Sequence, residues 1–101
     1  MYIKMSNLSN VHKLLIILDK LGYDWINGEP LLKWWDKALN DEDKLYHMSH
    51  YYLITYTDGL VAFVELFRVD SYEKDAEIMT DIEYIKSFCS KEKYFIVNKE
   101  V

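Results

Sequence analysis

A chain of 101 residues with 50% hydrophobic, 29% charged and 16% aromatic residues, three Gly, one Pro and one Cys is sized for one domain spanning 1–101. That composition excludes disorder, collagen and a disulfide scaffold. Twelve Lys and Arg against seventeen Asp and Glu give a formal charge of −5, which opposes direct binding to nucleic acid or an anionic membrane and points to a basic partner.

The first helix is expected over Leu8 to Leu21, where Leu8, Val11, Leu14, Leu15, Leu18 and Leu21 recur at three- and four-residue steps, with Asn7 or Ser9 as cap and Gly22 at its end. The apolar run Leu14 to Leu18 is five residues long, against the roughly 20 that span a bilayer, so no membrane helix is expected. Met1 to Asn10 shows no secretory signal pattern, and lone Cys89 cannot form an internal disulfide; both point to a cytoplasmic setting.

After a turn at Asn27-Gly28, Pro30 opens a second helix with Leu31, Trp34, Trp35, Ala38 and Leu39 on one face. Lys44 to Ser49 reads equally as a helical turn or a loop. Tyr51 to Thr57 and Leu60 to Phe67 read as strands joined by Asp58-Gly59, a two-residue hairpin signal that pairs Thr57 with Leu60, Leu53 with Val64 and Tyr51 with Leu66. Neither face of that hairpin is polar, so it must be covered on both sides or meet a partner, and a homodimer is one way to cover it.

Residues Val69 to Ile78 read as polar and acidic, with weak strand character around Glu77 to Met79. Thr80 and Glu83 form a capping-box pattern that starts a third helix running to about Cys89 and burying Ile82, Ile85 and Phe88 or Cys89. Tyr94 to Val97 is a short strand candidate. The expected fold is α+β, a small antiparallel sheet built on the hairpin and packed against two or three helices.

No pattern specifies a reaction. His47 and His50 stand three apart with Glu42 and Asp43 nearby, but a structural metal site wants four ligands and Cys89 lies in another element. Cys89 lacks a nucleophile signature and reads as a small core hydrophobe, and Gly22, Gly28 and Gly59 all sit at turns, away from any phosphate loop. No catalytic residue, metal or cofactor is therefore expected.

Charge and aromatics carry more. From Glu65 to Glu83 the chain has Glu65, Asp70, Glu73, Asp75, Glu77, Asp81 and Glu83 against Arg68 and Lys74, a local net of −5 equal to that of the whole chain. A solvated loop and helix start would account for it, as would a surface that docks on an Arg/Lys-rich site. Trp34 and Trp35 point about 100° apart on a helix, so both are buried only if the helix is widely enclosed or one faces a partner. The expected partner-binding residues are Glu65, Asp70, Glu73, Asp75, Glu77, Trp34 and Trp35.

The stretch Leu18 to Gly28 resembles short accessory proteins of bacteriophages and prophages, in which an amphipathic helix runs into G-Y-x-W-x-x-G, matched here by Gly22, Tyr23, Trp25 and Gly28. A hairpin and a late helix follow in those proteins, so the likeness covers residues 8–89. This chain departs in carrying Asp24 where a basic residue is common and in inserting the Trp34-Trp35 helix before the hairpin. The resemblance implies a small binder that blocks or redirects a host protein, including nucleases of CRISPR and other defence systems. The expected function is thus anti-CRISPR-like inhibition of a bacterial nucleic-acid-handling protein by occluding its basic site. An immunity protein that neutralises a bacterial toxin, or a protein sequestering a signalling nucleotide in an aromatic pocket, is the alternative.

Overall fold

The computed structural model describes residues 1–89. Strand β1 (Tyr2–Lys4) leads to helix α1 (Leu8–Lys20), then β2 (Asp24–Trp25), α2 (Leu31–Ala38), α3 (Asp41–His50), β3 (Tyr51–Thr55), β4 (Leu60–Glu65), α4 (Leu66–Tyr72) and β5 (Ile78–Thr80). A last helix, α5, covers residues 81–89. The strand expected over Tyr94 to Val97 lies outside the described residues.

The fold is α+β, but the sheet is mixed instead of antiparallel. Its order is β2-β4-β3-β1-β5. Strand β3 runs antiparallel to both neighbours, whereas β1 pairs with β5 and β2 with β4 in parallel. The hairpin is therefore the centre of a five-stranded sheet, and the described residues supply five helices where two or three were expected.

Two crossovers connect parallel strands. The first, β1 to β2, carries α1; the second, β4 to β5, carries α4, and the two travel in opposite directions along the sheet. Parallel crossovers share one handedness, so connections that run in opposite directions must lie on opposite faces. That is what the packing shows. Val11, Leu14, Leu15 and Leu18 of α1, Leu31 and Trp35 of α2 and Met48 of α3 form one core with Ile3, Leu53 and Val61 of the sheet, and Tyr84 and Ile85 of α5 pack against it. On the other face α4 stands alone. Val69 and Tyr52 are buried there, outside the main core.

Local chemistry sets the element ends. Asn7 caps α1 by accepting from the Asn10 N–H at 2.8 Å, and Asn40 caps α3 in the same way from Asp43. The stretch 41–50, ambiguous in sequence, is helical because that cap and the acidic first turn of Asp41, Glu42 and Asp43 suit a helix N-terminus, while His47 and His50 suit its end.

The hairpin register differs from expectation by one residue. Tyr51 pairs with Glu65, Leu53 with Phe63 and Thr55 with Val61. The loop is one residue longer because Tyr56 N–H donates to Leu60 O at 2.9 Å, leaving Thr57-Asp58-Gly59 as the turn with Gly59 at φ +88°. The slip moves Val61 and Phe63 to the helix side of the sheet and Ala62 and Val64 to the other. Leu66 and Phe67, expected at the end of the strand, instead begin α4.

In α5, Glu83 N–H donates to Thr80 Oγ1 at 3.2 Å, as the capping pattern predicts. The inward face is different, however. Asp81 is fully buried and Ile82 is 39% exposed, since Ser6 holds the Asp81 carboxylate and turns residues 81, 84, 85 and 88 toward the protein. Cys89, expected in the core, is exposed on the far side.

Candidate functional site

The acidic segment becomes α4, the loop behind it and the entry to α5. Six of its seven carboxylates, Glu65, Asp70, Glu73, Asp75, Glu77 and Glu83, are exposed, while Asp81 is withdrawn into a structural role. Among the described residues, none of the seven lies within ion-pairing distance of a Lys, Arg or His; the two such contacts both fall on Asp36.

Two of these carboxylates also fasten α4 to the sheet. Tyr52 OH donates to Asp70 Oδ1 at 2.8 Å, and Tyr2 OH donates to the Glu73 carboxylate. Burial and the Asp70 bond raise the Tyr52 phenol above its ordinary range; at Tyr2 the Glu73 bond is the main cause of the same shift. Both phenols are donors at neutral pH, each to a carboxylate oxygen. The chain from β4 to β5 is thereby held across the outer face of the sheet, with Asp70 and Glu73 turned to its tyrosines and Asp75 and Glu77 exposed without a hydrogen-bond partner among the described residues.

Sequence reasoning missed the apolar part of this surface. Phe67 is 71% and Tyr72 78% exposed, both on the helix that carries Asp70. Side chains of that size left in water on an otherwise anchored helix are candidate interface anchors. A seven-residue helix that buries Val69 alone has no apolar period to reveal it.

The tryptophans separate. Trp35 is 1% exposed and belongs to the core, whereas Trp34 is half-buried and meets Trp25 edge-on at 5.1 Å and Phe63 at 5.9 Å. His47 continues this aromatic layer at 4.9 Å from Phe63 and 5.5 Å from Tyr51, and His50 stacks on Tyr46 at 4.1 Å. Both imidazoles turn Nδ1 back to a carbonyl of their own helix, Asp43 O at 2.7 Å and Tyr46 O at 2.9 Å. The layer packs α3 against β3. Among the described residues no three His, Cys, Asp or Glu side chains gather in a way that would hold a metal.

The turn of the G-Y-x-W-x-x-G stretch is structural in the same sense. Gly22 and Gly28 take φ values of +91° and +86°, and Trp25 drops into the core with its indole N–H donating to Leu31 O at 3.0 Å.

A second feature is an open cleft of about 330 Å³ between α1, α2 and α3, lined by His12, Lys13, Asp36, Asp41 and Lys44 over Trp35. Asp36 Oδ1 lies 3.3 Å from Lys44 Nζ and 4.0 Å from His12 Nδ1. An exposed pair of this kind is worth about 0–1 kcal/mol and tethers α3 to α2. The His12 contact is too long to fix the imidazole for proton transfer.

No protein-family model, curated protein or solved structure matches the chain. No helix among the described residues is long and apolar enough to cross a membrane.

Proposed function

We propose that this is a binding protein whose acidic α4 surface docks on a basic, nucleic-acid-handling site of another bacterial protein, such as a defence nuclease, and inhibits it by occlusion. One observation carries the reading. Five exposed carboxylates from Glu65 to Glu77, without ion-pair partners among the described residues, lie on the same segment of chain as the exposed rings of Phe67 and Tyr72. Unpaired carboxylates keep their full field for steering toward Arg and Lys, and the rings supply the desolvated area that holds the complex once formed.

The experiment is capture of partners from a bacterial lysate by the wild-type chain and by an Asp75→Lys/Glu77→Lys variant, at low and high salt. Asp75 and Glu77 are chosen because neither carboxylate makes a hydrogen bond among the described residues, so reversal spares the contacts that hold α4. Wild type should retain a basic protein that high salt releases and the variant fails to hold. Equal capture by both chains removes the proposal.

A further inference from the structure

We infer that the outer face of the sheet beside α4 is the second half of this docking surface, and that it receives the apolar stripe of a cationic amphipathic helix from the partner. The inference rests on the functional reading above and names the element the partner offers.

The face follows from the register. Ile78, Tyr2, Ile54 and Ala62 stand in one row across β5, β1, β3 and β4, and Leu60 follows two residues before Ala62 on the same side. Their in-between neighbours Ile3, Leu53 and Val61 belong to the helix-side core, so this row faces away from it. Helix α4 lies over Tyr52, and Glu73 at its end accepts from the Tyr2 hydroxyl. Elsewhere the row is open, with Ile78 and Tyr56 each 41% exposed and Ile54, Leu60 and Ala62 half-buried.

Width argues for a helix as the occupant. Five strands at about 4.8 Å spacing give a face roughly 19 Å across. Helix α4 leaves β4 and crosses one end of this face, by Tyr52 of β3 to Tyr2 of β1, so a second helix, about 10 Å across, fits alongside it over Ile54, Leu60 and Ala62.

Charge decides whose helix it is. The rim carries Asp24 opposite Leu60 on β2, Asp70 and Glu73 at the α4 end, and Glu77 in the loop before Ile78, against Lys4 on β1 and Arg68 and Lys74 on the α4 segment. Two copies of this chain packed face to face would set carboxylate against carboxylate around the apolar strip. A helix with Leu-type residues at i, i+3, i+4 and i+7 and Lys or Arg along its flanks satisfies floor and rim together.

The test uses the full chain and two synthetic helical peptides of equal charge, one Lys/Leu with the amphipathic spacing and one Lys/Ser. The Lys/Leu peptide should bind at least about tenfold tighter, the return expected for burying one or two aliphatic side chains. It should shift the amide signals of Ile54, Leu60 and Ala62, and an Ile54→Thr/Leu60→Thr variant with unchanged melting should lose that advantage. Equal binding of the two peptides, shifts gathered instead at the acidic turn Asp41 to Asp43, or a dimer that the threonine variant dissociates would each overturn the inference. The functional reading fails separately, if the Asp75→Lys/Glu77→Lys chain holds the Lys/Ser peptide and its lysate partners as well as wild type does.

Discussion

The buried carboxylate of Asp81 accepts from both the backbone N–H and the hydroxyl of Ser6, at 2.8 and 2.7 Å, across 75 residues of sequence. One of its oxygens also takes the N–H of Ile82 at 2.7 Å. The pair joins the loop after β1 to the first turn of α5 and accounts for a fully buried acid.

Replacing Asp81 by Ala removes the acceptor of two backbone donors and one hydroxyl in a partly buried site. We expect a loss of about 3 kcal/mol in unfolding free energy, from charge-assisted bonds worth about 1.5–3 kcal/mol each with partial relief by water. Urea titration measures it. A loss under about 1 kcal/mol means that Asp81 does not hold α5, given those bond strengths.

Trp34 and Trp35 should behave differently although they are adjacent. Trp35→Ala opens a cavity in the main core and should cost about 3–5 kcal/mol. Trp34→Ala removes a half-buried ring and should cost about half of that or less, by the area it leaves behind. Thermal unfolding of the two variants gives the comparison, and equal losses would contradict the different burial of the two rings.

Gly59 has φ +88° in the hairpin loop, a left-handed conformation in which a Cβ is strained. An added Cβ would meet only Gly22 O at 3.7 Å, an ordinary contact, so the penalty is conformational and not a clash. Gly59→Ala should therefore destabilise by about 1–2 kcal/mol, and Gly59→Asn by less, because Asn tolerates this region. Denaturant midpoints of the two variants test the order.

Tyr52 predicts a pH dependence. Its phenol titrates above the ordinary value of 10.0 in the folded chain, first because it is buried and then because it donates to Asp70. The folded state thus keeps a proton that the unfolded state releases, so stability is complete below about pH 10 and falls as pH rises through the higher folded value. Unfolding curves between pH 8 and 11.5, a range of roughly two units either side of the ordinary phenol value, should slope downward for wild type. They should slope less for Tyr52→Phe; identical slopes would show that Tyr52 is not the group responsible.

Much of the helix side was legible because its signals are local and repeated. Helix α1 has five buried residues at helical spacing, and Asn7 caps it as the sequence implies. The Thr80 cap and the existence of the hairpin were equally visible. Strands β1, β2 and β5 were harder, being two or three residues long; β1 and β2 gave no readable alternation, and β5 showed only as weak strand character near Glu77 to Met79. Their pairing partners are distant in sequence, so nothing local marks them. The register slip came from one residue of loop, a choice that Asp58-Gly59 leaves open. At the candidate site the exposed carboxylates could be read from composition, but the inward turn of Asp81 depends on Ser6, 75 residues away. Phe67 and Tyr72 went unnoticed since short α4 buries only Val69.

The position of β1, wedged between β3 and β5, has a consequence for synthesis. Tyr2 to Lys4 find their first neighbour only once Tyr51 to Thr55 exist, and their second only after Ile78 to Thr80 emerge. At ribosomal speeds of about 5–20 residues per second, the start of the chain therefore waits roughly 4 to 15 s for its last strand. Until Tyr51 to Thr55 emerge, about two thirds of the way through that interval at a steady rate, β1 has no strand to pair with, and its β5 edge stays open to the end, which makes the nascent polypeptide, more than the finished one, the form in which this architecture is vulnerable.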